Sequence, residues 1–102
     1  MKPFYYEMPK NRYRSEVGII KAILHAIKEH GKPGLLLSSI STLANLSHYI
    51  AKEKCQKLSE AGLIDFQHES GRRLIVITER GLAVSGEIQH FTEIAQSIKI
   101  RY

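Results

Sequence analysis

Residues 38–62 read SSISTLANLSHYIAKEKCQKLSEAG, and this stretch decides the architecture. Ser38 or Ser39 can cap a short helix whose apolar positions are Ile40, Leu43 and Ala44. Asn45–Ser47 is too short for anything but a tight turn, and Ser47 then caps a longer helix that runs on to Gly62. Ala51, Cys55 and Leu58 share the inner face of that helix, with Ile50 at its margin. Two helices joined by about three residues must cross steeply, so the first braces the second and leaves its outer side projecting. At about 100° per residue, that side presents Tyr49, Lys52, Glu53 and Gln56, with His48 beside them. No apolar residue claims this face.

Upstream, Ser15 and Glu16 supply a cap and an acid for the positive end of a first helix. Val17, Ile20, Ile23, Leu24 and Ile27 recur at helical spacing to Glu29, and GKPG at 31–34 stops the run. Downstream, Leu63–Gln67 and Arg73–Thr78 read as strands, joined by HESGR at 68–72 with Gly71 available for a positive φ. Thr78 or Glu79 opens a last helix to about Ile100. Helix, short helix, turn, helix, basic-tipped hairpin, long helix is the order of a winged helix-turn-helix. The expected class is α+β, mostly helical, with a two-stranded wing and a long C-terminal dimerisation helix. The expected divisions are an arm over 1–14, the winged helix-turn-helix over 15–80 and the dimerisation helix over 81–102.

The 102 residues are enough for one core without disulfide or metal. No run approaches the ~18 apolar residues of a membrane span, and MKPFYYEMPK at the start lacks the apolar region of a secretory signal. No membrane role is expected. The single Cys55 fits a reducing, cytoplasmic setting and reads as a small core residue. Net charge is +5, of which +3 lies in residues 1–14 with Lys2, Lys10, Arg12 and Arg14. Polyanionic partners follow, nucleic acid before membrane. The arm, with Phe4, Tyr5, Tyr6 and Tyr13, is open to three readings: disorder, docking on a dimer, or tracking a DNA groove. His25, His30, His48, His68 and His90 form no metal motif with Cys55, and phosphate loops and nucleophile elbows are missing. An enzyme, a metal and a cofactor are therefore not expected.

The run from Ser38 to Phe66, followed by LIVITERGL at 74–82, resembles an archaeal winged-helix family of small dimeric DNA-binding proteins with a C-terminal coiled coil. The shared pattern is Asn45–Ser47, then Gly62–Ile64, then Thr78–Gly81. Where that family often carries an aromatic residue within the third helix, this chain has Lys54. The resemblance implies a dimeric transcriptional regulator that sets helix 47–61 in the major groove of double-stranded DNA and wing 68–73 on the backbone. The DNA-binding candidates are Ser47, His48, Tyr49, Lys52, Glu53, Gln56, Lys57, Arg72 and Arg73. Lys reaches guanine acceptors or phosphate, Gln binds adenine bidentately, and Glu accepts from cytosine. The competing assignment makes Lys52, Glu53, Lys54 and Lys57 a solvated face, with Glu53 and Lys57 paired at i, i+4. In that case the domain is a protein–protein interaction module without a specific DNA site.

In the last helix, Val84, Ile88, Phe91, Ala95 and Ile98 are spaced four, three, four, three, and the row runs on to Tyr102. That is a coiled-coil seam, widened by Ile94, and it points to a homodimer. Leu82 and its neighbours are expected to close the core beneath it. The competing arrangement folds this helix back on its own domain. The sequence names no small-molecule effector.

Overall fold

The computed structural model describes residues 15–99; the arm, Ile100 and Tyr102 lie outside them. The elements are α1 (Glu16–His30), α2 (Leu37–Leu43), α3 (His48–Glu60), β1 (Ile64–Glu69), β2 (Arg72–Ile77) and α4 (Glu79–Ser97). Over the described residues this is a winged helix fold, four helices with one antiparallel two-stranded sheet.

Capping sets most of the helix starts. Ser15 Oγ accepts from Gly18 N at 2.9 Å, Ser47 Oγ from Ile50 N at 3.1 Å, and Thr78 Oγ1 from Gly81 N at 2.9 Å. Each satisfies an amide that has no partner within its helix. α2 departs from expectation. It starts at Leu37 behind Leu36, with no side-chain cap, so neither Ser38 nor Ser39 serves as one. Ser41 Oγ instead donates to Leu46 O at 2.6 Å and ties α2 to the turn before α3. Leu43, expected inward, is 61% exposed. Asn45 takes φ +56 in that turn, a conformation Asn tolerates better than most residues.

The strands reach further towards the tip than the sequence suggested. Glu69 pairs with Arg72, which leaves a two-residue turn of Ser70 (φ +53) and Gly71 (φ +75). Two positive φ values in succession give the twist that suits a tight hairpin, and this outweighs the polar composition that suggested a longer loop. Leu35 adds a short third rung: its N donates to Ile75 O at 2.9 Å, and Ile75 N donates to Leu35 O at 2.7 Å.

One core holds these pieces. Ile23, Leu24 and Ile27 of α1, Ile40 of α2, Cys55 and Leu58 of α3, and Ile64 and Ile75 of the sheet are buried together. Each large aliphatic side chain there contributes about 1.5–3 kcal/mol. The Thr78–Gly81 motif has a packing reason. Thr78 Oγ1 donates to Gly62 O at 2.7 Å, which brings the start of α4 onto the end of α3. A Cβ on Gly81 would overlap the Leu63 carbonyl oxygen and crowd Ile77. Leu82, expected to help close the core, is 45% exposed. α4 ends at Ser97, short of Ile100, and Lys99 beyond it turns to φ +60.

Candidate nucleic-acid interface

α3 divides cleanly along its length. Ala51, Cys55 and Leu58 face the core, while Ser47, His48, Tyr49, Lys52, Glu53, Gln56 and Lys57 are all exposed. Tyr49, at 73%, does not pack down on α2. Gln56 Nε2 lies 3.4 Å from Glu60 Oε2, a long bond on an open surface. The polar side chains therefore stand outward on a helix whose opposite side is fixed by burial.

Lys54 is the correction within this helix. It belongs to no solvated face: the residue is 8% exposed, and its Nζ donates to Glu16 Oε2 at 2.7 Å. The spacing held the signal, since Lys54 follows Ala51 by three residues and so lies on the inner side of the helix. Its stem packs inward and its head emerges at the first turn of α1. Glu16 thus does more than complement the helix dipole. The Lys54 hydrogen bond holds its carboxyl below the ordinary value of 4.5. The same bond raises the Lys54 ammonium above 10.5, against the opposing effect of burial. Among the described residues the ion pair on α3 is Lys54–Glu16, and Glu53 with Lys57 does not form one.

The hairpin brings a second cation to the same side. Arg73 lies over the Phe66 ring at 4.0 Å from its centroid, a stacking that fixes the long side chain along the strand. Arg73 and His48 line one cleft of about 300 Å³, together with Ser38 and Phe66. The start of α3 and the wing therefore face one shared cleft. Arg72 does not join them. It pairs with Glu69 and Arg73 with His68, and successive residues of a strand point to opposite faces. The two arginines, grouped at the tip by the sequence, face different ways.

The six residues of the seam on α4 do not form one outward stripe. Val84 and Ile88 pack against the core, and Ala95 is 2% exposed. Thr92, between them, is buried, its hydroxyl donating to Ile88 O at 2.8 Å. Phe91, Ile94 and Ile98 are 47%, 45% and 58% exposed. At about 100° per residue, Ile88, Thr92 and Ala95 lie on one flank of the row and Phe91, Ile94 and Ile98 on the other, so the core takes one flank and leaves the other outward. Ala95 has no surface left to offer a partner chain.

Cys55 is 1% exposed, and burial pushes its thiol up to about 11. It is a neutral core side chain at physiological pH, not a reactive thiolate. Among the described residues no three of His, Cys, Asp and Glu converge as a metal ion would require. No helix there is long and apolar enough to cross a membrane.

Residues 13–96 match the family described as winged helix-turn-helix. Among solved structures the chain is similar to Sso10a-2, a DNA-binding protein from Sulfolobus solfataricus. Identity is 21%, coverage 84% of this chain and 86% of that one, and the TM-score 0.75. It also resembles the PcaV transcriptional regulator of Streptomyces coelicolor, at 25% identity over 86% of this chain and 64% of that one, with TM-score 0.72. A third likeness is a MepR variant from Staphylococcus aureus bound to an oligodeoxyribonucleotide. There identity is 18%, coverage 78% and 61%, and the TM-score 0.67. No curated protein matches the chain by sequence.

Proposed function

The chain belongs to the winged helix-turn-helix family, and from that premise we propose that it is a sequence-specific double-stranded DNA-binding regulator acting as a homodimer. The observation that carries this reading is the juxtaposition of α3 with the wing. An outward row of Tyr49, Lys52, Glu53 and Gln56 continues through His48 into the cleft that Arg73 also lines. A base-reading helix beside a backbone-holding cation is what a duplex needs, since base edges carry sequence and phosphates set register. The net charge of +5 favours the same partner. Sso10a-2 is a DNA-binding protein and the MepR variant is bound to an oligodeoxyribonucleotide, and both share this fold.

In this mechanism Lys52 and Gln56 meet base edges from the middle of α3, with Ser47 and His48 entering first. Lys57 and Arg73 hold phosphates on either side. Arg72, on the other face of the hairpin, contributes only longer-range attraction. The dimer rests on the outward side of α4 and its C-cap, chiefly Ile94 and Ile98, and sets two reading helices on a palindromic site. A protein bound to the chromosome in this way works in the cytoplasm.

Titration with duplex DNA across salt concentrations tests this reading. Log affinity should fall linearly with log salt. Lys52→Ala and Gln56→Ala should weaken a site selected from random sequence by about 1–3 kcal/mol each, and random duplex by less. Salt-independent binding, or equal losses on both duplexes, would remove base reading from α3.

A further inference from the structure

A second concavity lies behind the hairpin, bounded by the end of α1, the 31–34 loop, both strands and the first turn of α4. Its volume is about 930 Å³, within the range of small-molecule sites. Ile27, Pro33, Val76, Ile77 and Leu82 supply apolar wall. The exposure of Leu82 noted above thus falls inside a concavity, not on a convex ridge. Asp65, Glu69 and Glu79 stand at the rim, with Lys32 as the lysine among the lining residues. Arg72, the register partner of Glu69, offsets part of that charge. Asp65, Gln67 and Glu69 share one face of β1 because they alternate along it.

The sign of this cleft is opposite to that of the molecule. The chain carries +5 overall, yet here carboxylates gather over an apolar wall, which concentrates negative potential in a concave space. Three carboxylates against one lysine set this cleft apart from the outer side of α3, which carries Lys52 and Lys57. Apolar wall and acidic rim are complementary to one kind of occupant. We propose that this cleft binds a small organic cation with an apolar or aromatic body, packed on Leu82, Ile77 and Pro33 with its charge towards Asp65 and Glu79. The proposal stands whether or not α3 reads DNA.

Calorimetry on the full chain without DNA tests it, with tetraphenylphosphonium as probe and tetraphenylborate as the anion of the same shape. Saturable one-to-one binding of the cation is expected, with the anion roughly tenfold weaker or more. Asp65→Asn with Glu79→Gln, both exposed positions, should cost the cation about tenfold while moving the melting midpoint little. Leu82→Lys should abolish its binding by setting an ammonium at the apolar wall. No saturable heat, equal affinity for the anion, or binding unaltered in both variants would overturn the proposal. Binding of the cation only after removal of residues 1–14 would assign the cleft to the chain's own basic, aromatic segment and overturn it equally.

Discussion

α3 and α4 rest against the same small core, and they differ in what they turn outward. α3 buries Ala51, Cys55 and Leu58 and shows solvent a row of charged and hydrogen-bonding groups. α4 buries Gly81, Thr92 and Ala95, sets Val84 and Ile88 on the core, and still leaves Ile94 and Ile98 about half exposed on its other side. A polar outer face is content in water and loses hydration on meeting a partner, so its affinity must come from charge and matched hydrogen bonds. An apolar outer face is unfavourable in water and gains on being covered, by about 1.5–3 kcal/mol for a large side chain. The proposed partners follow this division, a duplex for α3 and a second copy of α4 for α4.

The largest effect is expected from α4. Ile94→Lys with Ile98→Glu changes only exposed positions, so the fold should persist while the outer apolar face is lost. Sedimentation at micromolar concentration should show a dimer for the parent chain and a monomer for the variant. Affinity for a palindromic site should fall roughly 100-fold or more, because two linked half-sites no longer act together. A parent chain that sediments as a monomer and binds a half-site at full strength would break the division between the two helices.

This choice of residues shows where the sequence was legible. Spacing located α3, its cap at Ser47 and its inner triad, because burial on one side and polarity on the other impose a single helical phase. It also suggested the order of elements, since caps and glycines punctuate the chain. On α4 the same tool was blunted. Apolar residues occupy both sides, and the 3.5-residue row through Val84, Ile88, Phe91, Ala95 and Ile98 mixes those the core takes with those it leaves. Lys54 was obscured for a different reason: a charged residue reads as solvated until a distant carboxylate, here Glu16, is brought to it by the fold. Leu43 and Leu82 read as core because their chemistry is apolar, and only the third dimension shows them lining open clefts. The Leu35 rung beside Ile75 could not be read locally at all, since its partner is forty residues away.

A smaller effect separates packing from recognition on α3 itself. Cys55→Ala removes one sulfur from a site that is 1% exposed, which should lower stability by about 1 kcal/mol. DNA affinity measured well below the melting midpoint should stay unchanged. Peroxide should have no effect on the parent chain either, because a thiol pushed up to about 11 carries almost no thiolate at neutral pH. Oxidant-induced release from DNA that vanishes in Cys55→Ala would show that the inner face of α3 does more than pack.

The smallest effect concerns the tie that sets α3 against α1, and its sign can be worked out from the two partners. Glu16→Gln preserves shape and an acceptor for Lys54 Nζ but removes the charge. The Glu16 carboxyl lies below its ordinary 4.5 in the folded chain, so its contribution is present above that value and is lost as pH falls through the lowered one. The Lys54 ammonium lies above its ordinary 10.5, so its contribution is present below that value and is lost as pH rises through the raised one. The melting midpoints of parent and variant should therefore differ by a small, constant amount across neutral pH, the parent being higher. The two curves should close together in acid below 4.5 and in base above 10.5. Because Glu16 is largely exposed, with 68% of its side chain in solvent, the gap should narrow further in high salt. A gap that survives full protonation of the carboxyl would mean that the glutamine disturbs packing at the head of α1, and that Lys54 is held by its buried stem instead of by its charge.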